Sequence, residues 1–279
     1  MTDTNQTENT VYVARLEKLV KDSETIGKTL IRRDLELTRA NDKLRELNDA
    51  KSSFVSVVAH QLRTPLSGIK WMFYMALSGD FGDLTNEQKN FLTRGRDSTD
   101  RMIALVNDML DADRIESGEA KYQFQAADIV DTIDGVLYEF LPKIQEKKLS
   151  LILNYKEKAV PRVNADPEKI RAVLQNLIEN AVKYTIGGGN ITIAIEEVPE
   201  GVRVSIEDSG IGVPKNQQKN LFERFFRGKN AVKIEANGSG LGLYIAQNII
   251  EKHGGKIWFE DHGESPGSTF HFTLPVFRQ

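Results

Sequence analysis

The sequence contains no cysteine, which excludes disulfides, thiolate nucleophiles, Cys-rich zinc sites and iron–sulfur clusters and fits a reducing compartment. Prolines are few, 8 in 279 residues, and none precedes Pro65, so nothing breaks a helix in the first part of the chain. Long apolar runs are missing as well. The longest, Trp71 to Leu77, is far short of the roughly 20 residues that a membrane-spanning helix needs. Charge of one sign is not in excess: 37 Lys+Arg stand against 40 Asp+Glu, a net charge of -3. That balance argues against a nucleic-acid partner and confines any phosphate site to local features. The polar N-terminus lacks the basic and apolar regions of a signal peptide. What is present is globular: 40% of residues are hydrophobic and 28% charged, and the length predicts about two folding units. The expectation is a cytoplasmic protein, or the cytoplasmic part of a longer receptor.

After a polar tail (residues 1–11), apolar residues recur on a heptad. With position a at Leu16, Ser23, Leu30, Leu37, Leu44, Lys51 and Val58, position d falls at Leu19, Ile26, Arg33, Ala40, Leu47 and Phe54. Charged flanks complete the pattern of a two-stranded coiled coil, assigned to residues 12–50. A single amphipathic helix on a globular core would need no repeat of this length. Polar Ser23, Arg33 and Lys51 loosen the seam. The helix should run through Leu77 and break at Ser78-Gly79, and a second should open behind Thr85, with Gln88 three residues on to complete a capping box. Its apolar residues recur at three and four until Ser117-Gly118. Residues 51–118 therefore read as a helical hairpin, too thin for a core of its own, and pairing into a homodimeric four-helix bundle is the economical architecture.

Beyond Gly118 the texture changes. Alternating runs at Leu149–Tyr155, Ile191–Glu197, Val202–Asp208, Lys256–Glu260 and Thr269–Leu274 read as strands. Helical patterns lie at Ile129–Lys147, Pro167–Tyr184 and Ser239–His253. Residues 119–279 are thus expected to form one α/β layer domain.

Several residues carry chemistry. Asn176 and Asn180 share a helix face, with Lys183 beside them, so amide oxygens for a hard cation sit near an ammonium for a phosphate. Asp208-Ser209-Gly210-Ile211-Gly212 ends a strand, and Gly238-Ser239-Gly240-Leu241-Gly242-Leu243 opens a helix, where backbone N–H groups can approach a polyphosphate. A dinucleotide-binding fingerprint is incomplete and the P-loop motif is absent. His60 and Thr64 lie on one face of the first helix, and Pro65 is expected to kink it. His253, His262 and His271 show no metal-ligand spacing and read as structural. The Trp71–Leu77 run reads as core, with a docking surface as the second reading.

The order His60-Gln61-Leu62-Arg63-Thr64-Pro65-Leu66, Asn176 to Tyr184, Asp208 to Gly212, Phe222-Glu223-Arg224-Phe225-Phe226-Arg227 and Gly238 to Leu243 resembles the H, N, G1, F and G2 boxes of two-component sensor histidine kinases. The resemblance spans residues 30–277. It implies a coiled coil feeding a dimerisation and histidine-phosphotransfer hairpin, then a Bergerat-type α/β sandwich that binds ATP, with residues 213–237 as a mobile lid. By the same resemblance, His60 accepts the phosphoryl group from ATP and passes it to an Asp of a response regulator. Thr64 positions water for dephosphorylating that partner. Asn180, helped by Asn176, holds Mg²⁺, while Lys183 and Arg227 face the terminal phosphates. Asp208 accepts from the adenine amino group with Thr269 nearby. Tyr184, Gly210, Gly212, Gly238, Gly240, Leu241 and Gly242 shape the pocket and its hinges. The chain departs from the family at Gln61, where most members carry Asp or Glu. Related ATPases of the gyrase, chaperone and mismatch-repair kind carry a Glu where Asn176 stands, and an amide has no useful basicity for activating water. A catalytically silent scaffold is the third reading, opposed by the intact Asn, Asp and Gly positions.

Overall fold

The computed structural model describes residues 3–155, 159–235, 238–262 and 267–278; the side chains of residues 3–20 and 22–25 are outside the description. Contacts divide the chain into two units, meeting at Phe54 and Val55. Helix α1 runs from Asp3 to Ser78, so it begins well before residue 12. The tail is polar but contains neither Gly nor Pro, and nothing in it ends a helix. In the first unit Ile26, Leu30, Leu37, Leu44, Leu47 and Phe54 are all exposed, from 57% to 68%, an apolar stripe with no cover in the single chain. The heptad positions at Leu16, Leu19 and Ser23 lie outside the described side chains.

In the second unit α1 passes through Pro65 without interruption and stops at Gly79, whose φ of 93° takes the left-handed conformation that ends helices. Helix α2 (Asn86–Glu116) opens with the expected capping box: the Gln88 N–H donates to Thr85 Oγ1 at 3.2 Å and the Thr85 N–H to Gln88 Oε1 at 2.8 Å. It closes at Ser117, with Gly118 at φ 77°. The hairpin core is small: Val55, Ala59, Val106 and Leu110, flanked by Leu66 and Met109. Leu62, Trp71, Met72, Phe91, Met102 and Leu105 stay exposed. Trp71 and Met72 are therefore not core within one chain, because two helices can bury only one face of each other.

The α/β part follows as β1 (Gln125–Ala127), α3 (Ile129–Glu146), β2 (Ser150–Asn154), β3 (Val163–Ala165), α4 (Pro167–Tyr184), β4 (Asn190–Val198), β5 (Gly201–Asp208), a 3-10 turn at Gln218–Asn220, α5 (Lys229–Ile234), α6 (Gly242–Lys252), β6 (Ile257–Asp261) and β7 (Ser268–Leu274). Five strands form one sheet in the order β2-β4-β5-β7-β6, with only the β2–β4 pair parallel. The short antiparallel pair β1–β3 has too few residues per strand to show a period of two. Helix α4 packs against both α3 and α6. Ile191, Ile193 and Ile195 of β4, Val202, Val204 and Ile206 of β5, and Phe270, Phe272 and Leu274 of β7 meet Leu174, Leu177 and Ile178 of α4 in one continuous core. Two Asp caps fix where the helices start: Asp128 Oδ1 accepts from the Val130 N–H at 2.9 Å, and Asp166 Oδ1 from the Glu168 N–H at 3.1 Å. His253 locks the second cap in place. Its Nε2 accepts from the Asp166 N–H at 3.0 Å and its Nδ1 bonds the Ile249 carbonyl at 2.7 Å, the structural role expected of it.

Candidate nucleotide site

Alternation along β5 puts Val202, Val204, Ile206 and finally Asp208 on the helix-covered face. Asp208 is buried, its Oδ1 accepts from the Gly210 N–H at 2.8 Å, and burial pushes its carboxyl up to about 6. Gly210 is required there, since a Cβ would stand 2.5 Å from the Tyr184 carbonyl oxygen and 2.6 Å from Asp208 Oδ1. The Ile211 N–H donates to that same Tyr184 carbonyl, which fastens the turn after β5 to the end of α4. Gly212, at φ 61°, faces the backbone of Gly267. Asp208, Gly210, Gly212 and Tyr184 are thus brought together as expected.

Thr269 is not brought into that group. It pairs with Glu207, whereas Ser268 pairs with Asp208, and neighbouring side chains on a strand point to opposite faces. Thr269 Oγ1 instead bonds His262 Nε2 at 2.7 Å. The buried hydroxyl on the face of Asp208 is that of Ser268. The parity of Phe270, Phe272 and Leu274 carries this signal in the sequence.

On α4, Asn180 Nδ2 donates to Asn176 Oδ1 at 3.2 Å, which directs the Asn180 oxygen away from its neighbour. The loop opening α6 lies directly against this pair: a Cβ on Gly242 would stand 1.7 Å from Asn176 Nδ2. Leu241 is buried and anchors that loop. At the end of α4, Lys183 Nζ lies 5.6 Å from the centre of the Tyr184 ring. The Tyr184 hydroxyl is pushed up, chiefly by burial and against the opposing influence of the Arg227 guanidinium. Arg227 also donates to the Glu235 carbonyl and lies beside Gly238. Gly240, at φ 67°, packs on the backbone of Phe225 and Phe226. Arg227 thus lies against Tyr184 and Gly238, and Gly242 lies against Asn176. Within the lid segment, Ala236 and Asn237 are outside the described residues.

His60, Gln61 and Thr64 are exposed on α1, and Thr64 Oγ1 donates to the His60 carbonyl at 3.3 Å. Arg63 fixes the neighbouring turn through Asn107 Oδ1 at 2.6 Å. Reading the sequence missed Lys147, whose Nζ donates to the carbonyls of Val182 and Lys183 at 2.8 and 3.0 Å and so caps α4 from another helix. It also missed two acids brought near histidines by the fold: Glu260 Oε2 on β6 bonds His271 Nε2 on the adjacent β7 at 3.0 Å, and Glu207 on β5 is 4.0 Å from Nε2 of His262, which follows β6. No helix among the described residues is long and apolar enough to cross a membrane.

Comparison with known proteins agrees with this arrangement. Residues 50–118 match the His Kinase A (phospho-acceptor) domain, and residues 165–278 match the histidine kinase-, DNA gyrase B- and HSP90-like ATPase family. The chain is 39% identical over 247 residues to drug sensory protein A of Synechocystis sp. (84% of this chain, 36% of that protein). It is 30% identical over 267 residues to the circadian input-output histidine kinase CikA of Synechococcus elongatus (95% of this chain, 35% of that protein). It therefore spans little more than a third of the length of these relatives. Among solved structures, full-length ShkA in complex with AMPPNP superposes with a TM-score of 0.67 at 27% identity, covering 81% of this chain and 46% of that one. Histidine kinase ThkA in complex with response regulator protein TrrA gives a TM-score of 0.56 at 30% identity, covering 81% and 61%. With both domain types matched in the order the sequence motifs require, the chain belongs to the two-component sensor histidine kinases and carries their phospho-acceptor and ATP-binding domains.

Proposed function

We propose that this chain is an ATP-dependent protein-histidine kinase that phosphorylates its own His60 and passes the phosphoryl group to an Asp of a response regulator. The observation that carries this reading is the buried Asp208, held by the Gly210 N–H in a turn that is fastened to the end of α4, the helix that carries the Asn176–Asn180 pair; the space between them is the proposed nucleotide groove. A buried carboxylate with one oxygen committed to a backbone N–H leaves the other to accept from the exocyclic amine of adenine, with Ser268 as the hydroxyl on that face. The fit of the remaining groups is chemical. Asn180 offers a hard oxygen for Mg²⁺, supported by Asn176, and Lys183 and Arg227 supply cations for terminal phosphates. Glycines at 210 and 242 stand where any side chain would collide. ATP supplies the phosphoryl group when bound. The chain itself holds the base and phosphates in place and presents the lone pair of His60 Nε2 from an exposed helix face. Thr64 is assigned to orienting the water that dephosphorylates the response regulator. The test is incubation with γ-labelled ATP and Mg²⁺: an acid-labile, base-stable label on the chain is expected, and no label would refute the reading.

The pH dependence of binding follows from Asp208. Its carboxyl titrates at about 6, and the ionised form is the better acceptor for the adenine amine. Binding that selects the ionised form is complete above pH 7 and is lost as pH falls through 6. ADP affinity is expected to drop by about three- to fourfold between pH 7.5 and 5.5, because about a quarter of the carboxyl remains ionised at pH 5.5 and the neutral form makes the weaker hydrogen bond. Asp208→Asn should show the weak affinity throughout, with a flat profile by calorimetry. His262 and Glu207, near the same site, act on Asp208 in opposite directions.

The exposed stripes on α1 and α2 support a homodimer formed by a coiled coil over residues 12–50 and a four-helix bundle over residues 51–118. Each Leu covered by a second copy contributes about 1.5 to 3 kcal/mol. Replacing Leu44 and Leu47 by Glu is expected to shift light scattering at micromolar concentration from dimer toward monomer. A monomeric parent chain would contradict the assignment.

A further inference from the structure

Helix α2 touches the loop that opens α6. Asp108 Oδ2 accepts from Ser239 Oγ at 2.8 Å, and the same Oγ accepts from the Leu241 N–H at 3.2 Å. Two turns further along the same face of α2, Glu116 pairs with Arg224 at 2.5 Å. Between them Ala112 is fully buried, a residue small enough for close approach. Both attachment points lie on segments that border the nucleotide groove. Ser239 lies between Gly238 and Gly240. Arg224 sits between the rings of Phe225 and Tyr244, 5.6 and 5.4 Å from their centres, and its Nε is buried without a partner. Next to it Phe225 is held at φ 62°, a left-handed conformation that a side chain with a Cβ rarely adopts. Glu179 of α4, one residue before Asn180, adds its negative charge to the surroundings of Asp108. The contact thus places a carboxylate against the Gly-rich loop, in a neighbourhood that already contains two further acids, Asp111 and Glu179.

We propose that Asp108 is a built-in competitor for the phosphates of the nucleotide: its carboxylate, held by Ser239, repels anionic ligands at the loop opening α6 and ties that loop to the phosphotransfer hairpin. Nucleotide binding then requires this contact to open, which couples occupancy of the groove to release from α2. The inference rests on the nucleotide reading of the groove. It assigns to Asp108 a role that needs its charge, and not only its hydrogen bond.

The absence of cysteine makes the test direct. In the full chain, Asp108→Asn keeps the shape and the acceptor but removes the charge. It is expected to tighten ADP binding by about five- to tenfold in calorimetry at low salt, with the gain shrinking as salt screens it. A chain carrying both Asp108→Cys and Ser239→Cys should bind ADP weakly when oxidised and recover on reduction. Unchanged affinity in Asp108→Asn, or equal affinity of the oxidised and reduced double variant with the crosslink shown by mass, would overturn the proposal. Failure of the parent chain to bind ADP at all would instead remove the nucleotide reading itself, and this inference with it.

Discussion

His60→Ala is expected to abolish incorporation of label from γ-labelled ATP while leaving ADP affinity within about twofold of the parent. The imidazole is exposed on α1, so its loss opens no cavity. Alanine is the best helix former, and the bond that Thr64 makes is to the backbone carbonyl of residue 60, which the substitution retains. The proposed acceptor and the nucleotide groove sit on different elements, α1 on one side and β5, α4 and α6 on the other. Chemistry and binding should therefore separate cleanly: alanine has no lone pair to form a bond to phosphorus, and nothing around Asp208 changes. Equal labelling of the variant would place the acceptor elsewhere. Loss of ADP binding together with label would show that the helix had rearranged, and thermal unfolding of the variant would identify that case.

Gln61→Glu is expected to raise the single-turnover rate of autophosphorylation by about 10²-fold. As Nε2 forms its bond to phosphorus, the imidazole must give up the proton on Nδ1. An amide oxygen can accept a hydrogen bond from that N–H and so fix the tautomer, but it cannot take the proton. A positioned carboxylate can, and general base catalysis contributes typically 10²- to 10⁴-fold. Gln61 is exposed, so a carboxylate at this position meets little desolvation and is ionised at neutral pH. The parent is accordingly expected to be a slow kinase. Thr64→Ala supplies the contrast, since it should remove response-regulator phosphatase activity and spare the kinase, whose step uses no oriented water. A rate for Gln61→Glu equal to or below the parent's would sink the proton-acceptor argument and give Gln61 another role at the site.

Periodicity and caps alone placed the long helices, the five strands of the main sheet and much of the site, but not β1, β3 or α5. Apolar periods of 3.5 and 3.6 located α1 and α2, and the capping pair Thr85 and Gln88 fixed where α2 starts, because caps and periodicity are local and act within a few residues. The glycines at 210 and 242 and the Asn pair on α4 were legible for the same reason, as short motifs with fixed backbone demands. Their roles as a nucleotide site came from the resemblance of five motifs in order. Tertiary structure decided the rest. The parity of Phe270, Phe272 and Leu274 puts Ser268 on their face, but that this is also the face of Asp208 is fixed by the β5–β7 register, since pairing joins strands far apart in sequence. Lys147 finds the end of α4 from a different helix, and Glu207 and Glu260 reach His262 and His271 from other parts of the sheet. The pairing of Asp108 with Ser239 spans more than a hundred residues, and no local propensity encodes a contact made only when two packed surfaces meet.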